Sequence, residues 1–406
     1  MRRRKRTILT QERKLVIQYE FFRLGRGKHV GQLSLADRLP RVRISQLVSR
    51  PAGTGTGTLA VLCFSQFPMA AATDQFQRPL RDLRISVTDR CNFRCPYCMP
   101  KEVFGAGHVF LRDPQLMSQT EIVRIAGAFR ALGVEKVRLT GGEPLLRSDL
   151  PELVVRLKRD VGIPEVALTT NGWLLEKFSP ALHAAGIDRV NVSVDSLNDE
   201  TAGRMNGLGF KVDRVLRGID AASELGLPIK INCVVQRGIN DHELLELCAY
   251  FRNRGHTLRF IEFMDVGNTN HWSAAGVVPA KEIVERISKE WALIAVGPAY
   301  RGEVASRYRY VDGRAEIGVI SSVTEPFCRD CHRARLSADG RLFTCLFASL
   351  GWDVLGCLRA GANDAELQRY IGRVWSGRLD RYSDERAEVL ASGETQEKIE
   401  MSYIGG

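Results

Sequence analysis

The stretch Leu83-Arg-Ile-Ser-Val-Thr-Asp-Arg-Cys-Asn-Phe-Arg-Cys-Pro-Tyr-Cys98 decides the fold. Its first six residues alternate apolar and polar, as a strand with two unlike faces does. Its last eight hold three cysteines, directly after the strand. Working outward, further strands are predicted at 136–140, 165–170, 189–195, 229–235 and 258–264, with helical patterns near 118–132, 149–159, 175–185, 211–225 and 241–253. The third and fourth of these helices stop at Gly186 and Gly226, since glycine accepts the left-handed backbone that ends a helix. Six β-α repeats predict an α/β fold with parallel strands and helices outside, as a partial (βα)6 barrel or an open sheet.

Strand parity predicts what the sheet encloses. Leu83, Ile85 and Val87 share one face, while Arg84, Ser86 and Thr88 share the other. Later strands set Arg138 and Thr140, then Asn191, Ser193 and Asp195, then Lys230 and Asn232, opposite their valines, leucines and isoleucines. An ordinary eight-stranded barrel fills its interior with branched apolar side chains. A polar, cationic inner face predicts instead a lumen that holds a large polar ligand; the alternative is a two-faced sheet with one side in water.

After residue 270 the rhythm changes. A helix near 280–290, strands near 292–296, 306–311 and 316–322, a hairpin turned by Ala338-Asp-Gly340 and a helix near 363–375 predict a smaller α+β domain over 271–406, beside a first domain over 69–270.

Composition excludes several classes. The 406 residues are 44% hydrophobic and 26% charged, as in globular proteins. No run approaches the about 18 consecutive apolar residues that a membrane span needs. The net charge of +11 is confined to residues 1–68, where 14 Lys and Arg face only Glu12, Glu20 and Asp37; the rest of the chain carries 44 residues of each sign. A basic nucleic-acid-binding body is therefore not expected. Residues 1–68 run through Pro51-Ala-Gly-Thr-Gly-Thr-Gly-Thr58 and read as a basic extension: a targeting segment, sequence upstream of a start at Met69, or a disordered arm. The cytoplasm is the expected compartment, or the mitochondrial matrix if the extension targets.

Ten cysteines in a chain this long do not suggest a disulfide scaffold. Six form two sets, Cys91-x3-Cys95-x2-Cys98 and Cys328-x2-Cys331-x13-Cys345. Three closely spaced thiolates can hold three irons of a [4Fe–4S] cluster and leave the fourth open. The alternative is zinc, which prefers four closed ligands; for the second set His332 is the nearest fourth candidate.

Asp89-Arg-Cys-Asn-Phe-Arg-Cys-Pro-Tyr-Cys-Met-Pro100 resembles the signature of the radical S-adenosylmethionine superfamily, and Thr140-Gly-Gly-Glu-Pro144 resembles its glycine-rich loop. With the second cysteine set, Arg333-Ala334-Arg335 and the terminal Gly405-Gly406, the chain from Arg81 to Gly406 resembles the GTP 3′,8-cyclase family, which begins molybdenum cofactor biosynthesis. The resemblance implies that Cys91, Cys95 and Cys98 bind a cluster that cleaves S-adenosylmethionine, and that Cys328, Cys331 and Cys345 bind a second [4Fe–4S] cluster facing guanine. It assigns Tyr97, Gly142, Ser193 and Met264 to S-adenosylmethionine, and Arg84, Arg138, Thr169, Lys230, Arg333, Ala334 and Arg335 to GTP. The implied reaction takes the 3′ hydrogen of GTP and joins C3′ to C8, giving (8S)-3′,8-cyclo-7,8-dihydroguanosine triphosphate. The implied partners are a one-electron reductant and the next enzyme, cyclic pyranopterin monophosphate synthase; a homodimer stays open, and no nucleic acid or membrane is expected. The rival readings are a peptide-modifying radical enzyme with an auxiliary cluster, and a zinc-stabilised nucleic-acid-binding protein.

Overall fold

The computed structural model describes residues 6–8, 17–19, 72–300, 302–392 and 397–405. The stretch Pro51–Thr58, Cys63, Met69 and Gly406 lie outside them. The chain forms two compact units, Met1–Ser65 and Gln66–Gly406. In the first, β1 (Arg6–Ile8) pairs antiparallel with β2 (Ile17–Tyr19).

In the second unit six strands lie side by side in chain order: β3 (Asp82–Ser86), β4 (Lys136–Thr140), β5 (Glu165–Thr170), β6 (Arg189–Ser193), β7 (Ile229–Val235) and β8 (Thr257–Glu262). All pair in parallel. The crossovers carry α1 (Gln119–Ala131), α2 (Leu150–Arg159), α3 (Leu175–Ala184), α5 (Asp213–Glu224) and α6 (Leu244–Asn253). Local sequence explains them. Ser118-Gln-Thr-Glu121 makes a reciprocal capping box at the start of α1, which buries Ile122, Ile125, Ala126 and Phe129 at helical spacing. Gly186 and Gly226 follow α3 and α5 at φ +76° each. A further helix, α4 (Asp199–Asn206), was not expected from its polar sequence; the Asn198 side chain caps it by accepting from the Glu200 and Thr201 amides.

The sheet continues at both edges with strands from the C-terminal part, β9 (Leu293–Val296), β10 (Ser306–Tyr310), β11 (Glu316–Ile320), β12 (Arg333–Leu336), β13 (Arg341–Phe343) and β14 (Trp352–Asp353). β12 joins β3 and β11 joins β8, both in parallel, so the parallel run is eight strands long. The C-terminal part therefore extends the sheet at both edges. α7 (Ala280–Glu290) and α9 (Asp364–Ser376) match expected helices; α8 (Val354–Arg359), α10 (Tyr382–Ser392) and α11 (Met401–Ile404) were not anticipated, being short or weakly patterned.

The core lies between sheet and helices. Leu83, Ile85, Val137, Leu139, Val166, Leu168, Val190, Val192 and Ile231 are fully buried there, each contributing about 1.5–3 kcal/mol of hydrophobic stabilisation. β7 shows the consequence residue by residue: Ile229, Ile231, Cys233 and Val235 are buried, while Lys230, Asn232 and Val234 alternate onto the concave face. Among the described residues no helix is long and apolar enough to cross a membrane.

Candidate active site

The concave face encloses a cavity of about 300 Å³. Both cysteine sets line it, and so does every residue assigned above to S-adenosylmethionine or GTP except Ala334. Ala334 is wholly buried in the core, one position out of phase with its lining neighbours Arg333 and Arg335. Its methyl group is therefore turned from the cavity.

The first cysteine loop is held from several sides. Arg94 donates from Nη1 to the Cys91 and Phe93 carbonyls, both at 2.7 Å, and from Nε to the Phe104 carbonyl at 2.7 Å. Phe93 packs against Trp173 and Phe210 at ring separations of 6.0 and 5.6 Å. The glycine-rich loop after β4 is zipped to the same segment: the Gly142 amide donates to Thr88 O at 2.8 Å, and the Glu143 amide to Arg90 O at 2.8 Å. A side chain on Gly142 would run into the Arg90 carbonyl, and one on Gly141, at φ +154°, would meet Thr88 O at 2.5 Å. The glycines permit close contact between the two loops. Glu143, driven up to about 7 by burial, accepts from the Thr170 hydroxyl at 2.7 Å and the Asn171 amide at 2.8 Å. Tyr97 donates to Asp195 Oδ2 at 2.7 Å.

The chemistry of the thiols suits iron. Burial, and for Cys91 the nearby Glu143, push Cys91 up to about 11. Burial with Cys91 pushes Cys98 up to about 12, and burial with both neighbours raises Cys95 well above its ordinary value. Three crowded buried thiols ionise only against a compensating cation, which metal supplies. Among the described residues no three His, Cys, Asp or Glu converge on one point; a cluster does not require it, because each thiolate takes its own iron. In the second set burial raises Cys331, but the Arg333 and Arg378 guanidiniums outweigh it and bring the thiol down to about 6. Arg333 Nη2 and Arg378 Nη2 lie 3.5 and 3.4 Å from its Sγ.

The same cavity carries a cationic wall. Arg335 on β12 is in register with Arg84 on β3, which is in register with Arg138 on β4. Like charges directly opposite on neighbouring strands repel. Burial and these neighbours hold Arg84 well below the ordinary guanidinium range, and burial with Arg333 brings Arg335 to about 9. Several buried polar atoms here have no protein partner, among them Arg138 Nε, Thr169 Oγ1, Asn232 Oδ1 and Arg259 Nε. Unpaired guanidinium donors, and cations that outnumber lining carboxylates such as Asp82 and Glu303, suit a polyanionic ligand.

Some lining residues were missed. Arg189 and Arg259 follow the same strand parity that selected Arg84 and Lys230, and extending that rule to the first residue of β6 and to β8 finds both. Asn191, expected on the inner face, is fully buried and accepts from Arg259 Nη2 at 2.6 Å, so it orients that arginine. Arg378 follows Gly377 at the end of α9 and carries no sequence signal; only the tertiary fold brings it to Cys331.

Comparison with known proteins agrees with this geometry. The Radical SAM superfamily model matches residues 85–251, and the Molybdenum Cofactor Synthesis C model matches residues 256–384. A GTP 3′,8-cyclase of Acidothermus cellulolyticus is 52% identical over 357 residues, which cover 82% of this chain and 98% of that protein. The GTP 3′,8-cyclase of Staphylococcus carnosus is 48% identical over 335 residues at the same coverage. Streptococcus suis SuiB, in a crystal structure with bound S-adenosylmethionine, shares the fold at a TM-score of 0.52 and 16% identity, over 75% of this chain and 69% of that one. On the strength of these identities over four-fifths of its length, and of two cysteine sets that share one cavity with a cationic wall, the chain belongs to the GTP 3′,8-cyclase family of the radical SAM superfamily.

Proposed function

We propose that this cavity converts GTP to (8S)-3′,8-cyclo-7,8-dihydroguanosine 5′-triphosphate, the first step of molybdenum cofactor biosynthesis, with Cys91, Cys95 and Cys98 holding one [4Fe–4S] cluster and Cys328, Cys331 and Cys345 a second. The observation that carries this reading is that both cysteine sets and the Arg335–Arg84–Arg138 row line the same cavity. When bound, the first cluster with S-adenosylmethionine supplies reductive formation of an organic radical that removes a hydrogen atom.

The remaining work belongs to the protein. Arg84, Arg138, Lys230 and Arg335 bind the triphosphate, whose negative charge relieves their mutual repulsion. Tyr97, oriented by Asp195, and Gly142, Ser193 and Met264 form the S-adenosylmethionine side of the cavity. Arg189 and Arg259 extend the cationic wall from β6 and β8. Burial of the site keeps water from a reactive carbon radical and fixes the reacting groups against each other. A one-electron reductant and an enzyme that accepts the cyclised triphosphate complete the reaction's requirements.

The test is an anaerobic preparation assayed for iron, S-adenosylmethionine cleavage and GTP conversion. About eight irons per chain are expected for two clusters. Cys95→Ala abolishes cleavage of S-adenosylmethionine, whereas Cys331→Ala retains cleavage and loses GTP conversion. A Cys331→Ala protein that cyclises GTP at the normal rate refutes the role given to the second cluster.

A further inference from the structure

Residues 397–405 are fastened to the turn that follows β8. The Asn268 side chain pairs with Lys398 as a strand would: Oδ1 accepts from the Lys398 amide at 3.0 Å, and Nδ2 donates to the Lys398 carbonyl at 2.5 Å. Glu400 returns the contact, accepting from the Asn268 amide at 2.9 Å and from the Thr269 hydroxyl at 3.0 Å. Lys398 Nζ donates to Asp265 O and Oδ2 at 2.9 and 2.8 Å. Gly267, at φ +65°, leaves the Glu400 carboxylate the space that a side chain would fill. These contacts form one anchor.

Beyond the anchor the chain turns through α11. Ile404 is fully buried, and Tyr403 donates to Asp339 Oδ2 at 2.5 Å. Gly405 then stands at φ +74° against Thr140, and its carbonyl accepts from Arg335 Nη1. The anchor and this contact lie at opposite ends of one short, braced segment. Neither Asn268 nor Glu400 lines the cavity.

We propose that Asn268 and Glu400 are positioning residues: they set the reach of the C-terminal segment, so that the Gly405 carbonyl fixes the Arg335 guanidinium in the orientation in which it binds the triphosphate. The proposal rests on the reading that Arg335 contacts GTP. Arg335 needs such a brace because Arg84 and Arg333 repel it, and an unbraced guanidinium on a four-bond stem swings away from like charge. A guanidinium has five N–H donors, so one carbonyl leaves the others for ligand. The brace therefore orders the residue before substrate arrives and lowers the cost of binding.

The experiment uses full-length, cluster-loaded protein and measures equilibrium binding of GTP without S-adenosylmethionine, alongside hydrogen exchange of the amides of 401–405. Asn268→Ala and Glu400→Ala accelerate that exchange and weaken GTP binding about three- to tenfold, the entropy of one freed side chain, with iron content unchanged. Glu400→Gln, which keeps an acceptor for the Asn268 amide, restores most of the affinity. In an Arg335→Met background the anchor substitutions have no further effect, since the residue they act through is gone. Thr269→Val serves as the milder variant if Asn268→Ala fails to fold. Faster exchange with unchanged or tighter GTP binding overturns the proposal, as does an additive loss on top of Arg335→Met. An Arg335→Met protein that binds GTP normally removes the underlying reading and this proposal with it, whereas intact dependence on Arg335 with indifferent anchor variants overturns the anchor alone.

Discussion

Replacing Arg335 by methionine should make the ligand-free protein more stable and the enzyme worse. Arg335 is 3% exposed, with Arg84 beside it in register on the next strand and Arg333 two residues away. Burial first, and Arg333 second, take its guanidinium from 12.5 to about 9. At 1.36 kcal/mol per pH unit, that shift amounts to on the order of 5 kcal/mol spent on keeping the charge. Like charge accounts for part of it: two unit charges about 5 Å apart repel by about 3 kcal/mol at an effective dielectric of 20. Methionine keeps the apolar stem and removes the charge. It also loses the hydrogen bond to the Gly405 carbonyl, worth about 1 kcal/mol. The net gain is about 2–4 kcal/mol, which for a body of this size raises the melting temperature by about 3–6 °C. GTP affinity moves oppositely: one lost charge-assisted contact costs about 1.5–3 kcal/mol, or roughly 10- to 150-fold. The assay is anaerobic calorimetry and GTP binding on preparations matched for iron, with guanosine as the ligand lacking phosphates. Guanosine binding should hardly respond. A variant that melts lower and binds GTP normally would refute the argument, because Arg335 would then be a structural residue.

Gly142→Ala drives a methyl group into the Arg90 carbonyl, with Asp89 O at 3.0 Å behind it; the backbone cannot yield without moving the Cys91 loop. Iron analysis should find about half the normal content, one cluster of two, and full content would show that the loop tolerates the side chain. GTP affinity should fall as pH rises above about 8, because burial, with Arg259 and Arg189, brings Lys230 down to about 8 and the lysine then sheds its proton. Between that value and 10.5 the unfolded chain holds a proton that the folded, ligand-free one lacks, so stability of the free protein rises with pH across the same window. Lys230→Arg should move the onset of that loss up by about one pH unit, to where Arg335 and Arg259 begin to titrate near 9; a flat profile between about 8 and 9 in the unaltered protein would exclude this lysine from the triphosphate. A chain beginning at Met69 should load iron and cyclise GTP normally, and loss of either would place residues 1–68 within the working fold.

Much of the inner face was legible in the sequence because a strand has a period of two. Once Leu83, Ile85 and Val87 are assigned to the helices, Arg84 has to face inward, and the same logic reaches Lys230 and Asn232. The cysteine sets were legible because their ligands are adjacent in the chain. What escaped depends on long-range pairing. Nothing local in Arg333-Ala-Arg-Leu336 says that it lies parallel to β3, and without that pairing the Arg335–Arg84–Arg138 row is invisible. Arg378 reaches Cys331 from the end of α9 for the same reason. The short helices α8 and α11 depend on burial against distant elements, so a local pattern could not announce them.

The union of β3 with β12 also bears on how the protein is made. Arg78 reaches the Cys328 carbonyl across 250 residues of chain, and β12 meets β3 over a similar span. As the chain leaves the ribosome, β3 can pair with β4 early, but its other edge stays bare until β12 has emerged. The β8 edge likewise waits for β11. Such high contact order slows folding, and unpaired parallel edges recruit other chains. A nascent chain stalled anywhere between 270 and 320 thus presents two open edges and no route to closure, so synthesis of this protein is exposed to aggregation until nearly its last domain-length of sequence has appeared.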